Sequence, residues 1–536
     1  MGVKDGAPGG GSILGLARRS RQRSDPRRMR IGRCLIAGLA AAVWAVAPAA
    51  ADAARPNVLF IVSDDLNCLL GCYGDPRAKT PHIDRLAARG VRFERAYCAF
   101  PLCGPSRNSF LTGLYPNTTG IQANAQIFRQ TIPEAVSLPQ AFRRAGFFAA
   151  RIGKLYHYNV PKSVGTNGHD DPASWELELN PAGCDRLVEE PDIFTLTPGQ
   201  FGGTLSWYAS PRPDAEHTDG LMAEDAAWVI ERCARRRDRP FFLAVGFFRP
   251  HTPYVAPKEP WFGLYPEREM PVVTGVAEDQ ADLPPAALGS YKKEQDALTD
   301  DLRRQALQAY YASISFMDAQ VGRVLDALDR HGLADDTVIV LTSDHGYHVG
   351  EHGLWQKMSL FEESARVPLL VVAPGRARPG GVARAPVSQV DLFPTLAALC
   401  DVPAPDALQG QSLVPMLEDP TSEGRNWALT QVVRGSALGR ITRSLDAGGR
   451  GKRFFGYSLR TPRWRYTEWD EGREGRELYD HDADPRELVN LAERPEQAEQ
   501  VAALARQLHD AVATTLPASG EPPALRDDLW SPLLVP

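Results

Sequence analysis

Two apolar runs that end in aspartates restrict the fold of this chain more than any other feature. Asn57-Val58-Leu59-Phe60-Ile61-Val62 leads into Ser63-Asp64-Asp65, and Thr337-Val338-Ile339-Val340-Leu341-Thr342 leads into Ser343-Asp344-His345-Gly346. A short continuous apolar run stopped by polar residues is the pattern of a strand buried on both faces. The runs Phe241 to Gly246 and Val367 to Val372 share it, with helical patterns between, among them Asp318 to Arg330. Strands alternating with helices predict an α/β domain around a large, mostly parallel central sheet. Ligand sites in such sheets form beyond the carboxyl ends of the strands, where both aspartate clusters fall.

A helix at Gln389 to Leu396 closes this domain, and the Pro-rich stretch Val402 to Pro420 leads away from it. From about Trp427 the pattern changes. Tyr457 to Arg460 and Trp464 to Trp469 read as antiparallel strands, and Val501, Leu504 and Leu508 space out an amphipathic helix over Pro495 to Thr515, before a Pro-rich tail. The organisation expected is an N-terminal extension over 1–54, a catalytic domain over 55–425 and a smaller α+β subdomain with its tail over 426–536.

A chain of 536 residues is too long for one ordinary domain, and its formal charge of −6 leaves no basic stripe, which argues against a nucleic-acid partner. Arg27, Arg28, Arg30 and Arg33 precede an apolar run from Cys34 to Ala47 and a small-residue site at Ala51-Asp52-Ala53. That order predicts a secretory signal, with Met29 an alternative start, and a secreted or periplasmic protein without stable membrane insertion. Cys68, Cys72, Cys98, Cys103, Cys184, Cys233 and Cys400 would remain after cleavage. The Cys68/Cys72 pair has no second pair at zinc-site spacing.

Cys103-Gly104-Pro105-Ser106-Arg107 carries the chemistry. Gly104 and Pro105 favour an exposed turn, and Asn108 to Thr112 a helical turn, so Cys103 is expected near a helix N-terminus, where backbone N–H groups and Arg107 favour an anion. Asp64, Asp65, Asp344, His345 and the residue-103 side chain form a candidate cation site. Three carboxylates favour Ca²⁺ or Mg²⁺, while the histidine raises the case for Mn²⁺ or Zn²⁺. A zinc-protease reading of His345 to His352 fails on its interior glycines and the missing H-E-x-x-H order.

The stretch Cys103 to Gly113 matches C-x-P-S-R-x4-T-G, and Asp344 to Gly353 matches D-H-G-x-x-x-G-E-H-G. With these motifs the chain resembles the formylglycine-dependent type I sulfatases. Further stretches, including Leu70 to Asp75, Gly153-Lys154 with His157, and Gly456 to Thr461, resemble the iduronate-2-sulfatase branch. That resemblance implies an alkaline-phosphatase-like α/β sandwich, one bound Ca²⁺, and conversion of Cys103 to formylglycine by a formylglycine-generating or equivalent maturation enzyme. The hydrate of that aldehyde attacks the sulfate ester. Lys154, Lys357 and Arg107 would grip the sulfate and hold the site, His251 or Lys357 would protonate the departing alcohol, and His157 would act as the base that releases sulfate.

The substrate implied is a sulfated sugar, a 2-O-sulfated iduronate or other hexuronate of glycosaminoglycan or polysaccharide fragments. Segments 165–219 and 263–303 diverge from that branch, as does Tyr347, which is expected to alter contacts with the sugar. A phosphonate monoester or phosphodiester hydrolase on the same fold is the alternative, and a non-catalytic glycan-binding relative the second.

Overall fold

The computed structural model describes residues 55–435 and 453–521. The signal segment and the last part of the Pro-rich tail lie outside the described residues. At the centre is an eight-stranded sheet in the order Gly381–Ala383, Val91–Phe93, Leu369–Val372, Thr337–Ser343, Asn57–Asp64, Phe241–Pro250, Phe148–Gly153, Leu177–Leu179. The last five are mutually parallel.

The Asn57–Asp64 strand explains the uninterrupted apolar run. Leu59 and Ile61 pack with one core cluster, against the helices Thr218–Arg235 and Asp300–Arg330. Val58, Phe60 and Val62 pack with another, which includes Phe110, Leu138 and Leu392. Successive side chains of a strand point to opposite faces, and here both faces are covered, so no position is left for a polar residue. The long helix starts at Asp300, well before the Asp318 expected, with Thr299 accepting a hydrogen bond from the Leu302 N–H as its cap.

One run departs from the parallel expectation. Leu369–Val372 pairs antiparallel with both Thr337–Ser343 and Val91–Phe93. Apolar content reports that a strand is buried, not which way it runs.

A separate antiparallel sheet follows in the order Ala428–Arg434, Phe454–Arg460, Trp464–Trp469, Arg476–Asp480. The helix Ala498–Thr514 packs on it through Leu504, Leu508 and Ala511. Among the described residues no helix is long and apolar enough to cross a membrane.

Candidate active site

Strand register assembles the site. Asn57–Asp64 and Thr337–Ser343 run side by side with Ser63 opposite Ser343, so Asp64-Asp65 and Asp344-His345 emerge at the same level. The Leu66 N–H donates to Ser343 Oγ at 2.9 Å and the Asp65 N–H to Asp344 Oδ1 at 3.1 Å, tying the two turns together. Asp65 has a φ of 63°, a left-handed conformation uncommon for a residue with a side chain, and the Tyr310 hydroxyl holds its carbonyl at 2.8 Å. Phe148–Gly153 delivers Lys154, and Phe241–Pro250 delivers His251. The Lys154 N–H donates to the Gly246 carbonyl at 2.8 Å, an approach that leaves no room for a Cβ at Gly246.

Cys103 is the first residue of the helix Cys103–Thr112, which ends on Gly113 in the left-handed region. The expected exposed turn at Gly104-Pro105 is corrected: every residue of this helix is buried. Gly and Pro serve here to begin a helix inside the protein, Pro105 lying in the first turn where its missing N–H costs nothing. The Gly104 N–H donates to Asn124 Oδ1 at 2.8 Å, and a methyl group at 104 would lie 2.9 Å from that oxygen.

Around the Cys103 thiol stand His345 Nε2 at 3.3 Å, Lys357 Nζ at 3.5 Å and Asp64 Oδ1 at 3.7 Å. Arg107 Nε donates to Asp344 Oδ2 at 2.9 Å, Nη2 to Asp64 Oδ1 at 3.1 Å and Nη1 to the Lys154 carbonyl at 2.5 Å. One guanidinium therefore fixes three of the contributing segments, a task suited to its planar fork. Lys154 Nζ lies 2.6 Å from Asp64 Oδ2, and Lys357 Nζ 2.5 Å from Asp65 Oδ1. His251 Nε2 faces Asp65 Oδ2 at 3.6 Å.

Two histidine tautomers follow from backbone carbonyls, which only accept. His345 Nδ1 donates to the Gly346 carbonyl at 2.9 Å and His251 Nδ1 to the Thr252 carbonyl at 2.6 Å, so each neutral ring presents a bare Nε2 inward. Burial, with the Lys357 charge close by, lowers His251, and burial lowers His345 against the pull of Asp344. His157 is buried with its Nε2 3.2 Å from Asn159 Oδ1 and its Nδ1 without a partner. Burial, then Lys154 and His169, hold it well below the ordinary histidine range.

The three carboxylates are not equivalent. Burial opposes ionisation of Asp64, yet Lys154, His251 and Arg107 outweigh it and lower that carboxyl. Asp344 is lowered in the same sense, burial being outweighed chiefly by Arg107. Asp65 is raised: burial, with the charges of Asp64 and Asp344, prevails over Lys357 and His345. Its Oδ2 is buried without a hydrogen-bond partner. One ligand atom each from Asp64, Asp65, Cys103 and His251 lies within 4.8 Å of the others, and the same holds for Cys103, Asp344 and His345. An oxygen-rich donor set with an orphaned carboxylate oxygen fits a divalent cation.

All the residues singled out from the sequence meet in this one place except that His157 stands off from the thiol beside Lys154. Ser106 and Gln389 had no assigned role. The Ser106 hydroxyl donates to the Asp344 carbonyl, and Gln389 Nε2 donates to Thr342 Oγ1 at 3.0 Å and to the Ser343 carbonyl at 2.5 Å. Tyr310 gave no signal inside a long helix. Tyr347 stacks on Tyr310 at 5.9 Å with its hydroxyl on the Trp355 carbonyl at 3.1 Å.

The family model for sulfatases matches residues 56–402, which contain every one of these side chains. The chain belongs to the sulfatase family. Members of this family are sulfuric ester hydrolases that generally use a metal ion and formylglycine. A sulfatase of Formosa agariphila is 34% identical over 456 residues, covering 82% of this chain and 83% of that protein. The iduronate 2-sulfatase of Mus musculus is 32% identical over 478 residues, covering 77% and 84%. Among solved structures, the phosphonate monoester hydrolase of Agrobacterium radiobacter superposes with a TM-score of 0.69 at 26% identity, covering 86% of this chain and 96% of that one. The fold of this sulfatase-family chain is thus the alkaline-phosphatase-like sandwich, its large sheet mostly parallel and its small C-terminal sheet antiparallel.

Proposed function

We propose that the chain is an exported sugar sulfatase that removes sulfate from a 2-O-sulfated iduronate or related hexuronate, with Cys103 converted to formylglycine and one Ca²⁺ held by Asp64, Asp65, Asp344 and His345 with the residue-103 side chain. The observation that carries this reading is the thiol of Cys103 at a buried helix N-terminus, within 3.7 Å of His345, Lys357 and Asp64. The name of the mouse relative supports the sugar.

Bound there, the cation supplies positive charge for a sulfate oxygen, and the aldehyde hydrate supplies the attacking oxygen and a second hydroxyl for the release of sulfate. The chain's own groups do the rest. Arg107 keeps its proton, burial being outweighed by Asp344 and Asp64, and locks residue 103 and both carboxylates in register. Lys154 and Lys357, whose ammonium groups stand at Asp64 and Asp65, would supply further positive charge for the substrate anion. Negative charge moves onto the bridging oxygen as the S–O bond breaks, so a proton donor must stand beside it. His251 or Lys357 is that donor; both face Asp65, His251 Nε2 at 3.6 Å from Oδ2 and Lys357 Nζ at 2.5 Å from Oδ1. His157, neutral and with a bare Nδ1, serves as the base.

The test is the mass of the peptide containing residue 103, from protein made together with a formylglycine-generating enzyme, alongside turnover of a 2-O-sulfated uronate disaccharide and a phosphonate monoester. Aldehyde at 103 with sulfate release is expected. Aldehyde with turnover of the phosphonate alone favours the second reading, for which the likeness to the Agrobacterium enzyme speaks. Aldehyde with neither reaction sinks the sugar assignment.

A further inference from the structure

A second group of metal-type side chains lies in the segment that diverges from the iduronate branch. Cys184 opens the short helix Cys184–Leu187, Glu189 follows it, and His217 is the N-cap residue of Thr218–Arg235. The N–H groups of Val188 and Glu189 both fold back onto the Cys184 carbonyl at 2.9 Å, which brings Glu189 over Cys184. The Gly183 N–H donates to Thr218 Oγ1 at 2.9 Å, and the Thr218 N–H and hydroxyl donate to Asp185 Oδ1 at 2.9 and 2.7 Å, which brings His217 to the same place. A Cβ at Gly183 would collide with the His217 and Thr218 backbone, so glycine permits the approach.

These bonds position the three residues without using the ligand atoms. One donor atom each of Cys184, Glu189 and His217 lies within 4.8 Å of the others. Exposure is 6%, 3% and 0% respectively, so the set is nine-tenths buried or more. Neither ring nitrogen of His217 has a well-formed hydrogen bond, and Glu189 Oε2 has no partner. Glu189 Oε1 is oriented by the Ser210 hydroxyl at 2.6 Å and by Arg212 Nε at 3.6 Å, which leaves Oε2 as the free ligand atom. The structure describes no disulfide at Cys184. Buried polar atoms are rarely left bare, and three on two facing side chains beside a free thiol call for a ligand.

We propose that Cys184, Glu189 and His217 form a second cation site, for a divalent transition ion of the zinc class. Sulfur, nitrogen and carboxylate oxygen together select such an ion over the hard Ca²⁺ of the other site. Tetrahedral bonds of about 2.0–2.3 Å put ligand atoms roughly 3.3–3.8 Å apart, so a contraction of about an ångström closes the set around the ion. The thiol proton leaves on binding, against burial and the facing Glu189 carboxylate that push it up to about 12.

The location gives the site a purpose. Asp185, next to Cys184, pairs with Arg249, and Asp219, two residues beyond His217, accepts from the Phe248 and Arg249 N–H groups at 3.0 Å each. An ion here would fasten two parts of the divergent segment to each other, and with them the Asp185 and Asp219 carboxylates that hold the stretch leading to His251.

The experiment uses the full chain with Cys103→Ala, which removes the active-site thiol, stripped of metal and titrated with Co²⁺ and then Zn²⁺. A sulfur-to-cobalt charge-transfer band that saturates at one ion per chain and is displaced by zinc is expected. It should vanish when Cys184→Ser is added, and affinity should weaken by at least ~100-fold when Glu189→Gln is added. No such band in the Cys103→Ala protein overturns the site, as does a band undiminished by either added substitution. Should Cys184→Ser fail to fold, the band itself and the Glu189→Gln titration decide, and neither depends on whether sugar sulfate is the substrate.

Discussion

Two buried ionic clusters in this molecule are built from similar residues and do opposite work. Around Cys103, three aspartates meet Arg107, Lys154 and Lys357. Some way off, Glu362 and Glu487 meet Arg465, Arg460 and His481 where the C-terminal sheet joins the main body, and Glu362, His481 and Glu487 also put ligand atoms within 4.8 Å of one another. Among the described residues of the second cluster every carboxylate oxygen has a hydrogen-bond partner, and the one bare atom is a donor, Arg460 Nε. Glu362 accepts from the Tyr97 hydroxyl at 2.9 Å and from Arg465, while Glu487 accepts from Arg465, from the Glu362 N–H at 2.8 Å and from His481 at 2.7 Å. Burial opposes the charge on Glu487, but Arg465 and His481 outweigh it and hold the carboxyl down to about 2. In the first cluster Asp65 is raised, and one of its oxygens is bare. A buried ionic cluster that satisfies itself is a joint, and one that leaves an acceptor open is a site.

The largest effects should separate the two clusters by what they damage. Cys103→Ala should lower kcat by about 10⁶-fold, the scale for losing a nucleophile, and Asp65→Asn by about 10³-fold. Both should cost metal-free protein far less stability than loss of a joint residue, because at Asp65 burial and the neighbouring carboxylates prevail over the Lys357 ion pair, and Asn keeps the shape of the side chain. A substantial loss of stability in Asp65→Asn would erase the distinction drawn above.

Glu487→Ala should do the reverse. Removing one of the two buried carboxylates leaves Arg465 and Arg460 to share Glu362 alone, an excess of buried positive charge that costs about 3–5 kcal/mol, read by denaturant unfolding, with kcat per folded molecule unchanged. The pH dependence has a definite sign. Glu487 ordinarily titrates near 4.5 and is held at about 2 in the fold, so its contribution is fully present above pH 4.5 and is lost as the pH falls towards 2. Acid unfolding of the parent should therefore steepen below pH 4.5, and the variant should lack that component.

Calcium sharpens the comparison next. At about 100 times its dissociation constant a ligand of the native state alone adds about 2.7 kcal/mol. That increment should appear in the parent and in Glu487→Ala, and disappear in Asp65→Asn. An equal increment in all three would remove the cation from the Asp64/Asp65 site.

The two clusters also differ in how far the sequence reveals them. Strands buried on both faces leave unbroken apolar runs, so the central sheet and the strand ends bearing Asp64 and Asp344 were readable, and the resemblance to the sulfatases tied Cys103, Arg107 and Lys357 to them. The direction of Leu369–Val372 was not, because pairing sense depends on the connection rather than on apolar content. The burial of Cys103–Thr112 was hidden because Gly and Pro usually mark surface turns. Glu362, Arg465 and Glu487 carried no signal at all: charged residues are expected in water, and only the structure shows that each has its partner. Cys184 and His217 gave no sign of each other for a related reason, since they are far apart in sequence and a cysteine behind a signal-like leader is first counted as a disulfide half.

The smallest effect probes whether completeness makes the joint tolerant. Tyr97 donates to Glu362 Oε1 at 2.9 Å and to Oε2 at 3.2 Å, in a cluster where Arg465 already serves the same carboxylate and Arg460 Nε lies 3.5 Å away. Tyr97→Phe keeps the ring and removes one neutral donor to a charged acceptor, so about 1.5 kcal/mol should be lost in equilibrium unfolding. The guanidinium groups continue to neutralise Glu362, and no buried charge is stranded. A loss as large as that of Glu487→Ala would mean that the carboxylate depends on each donor in turn, and the line between joint and site would have to be drawn on something other than spare partners.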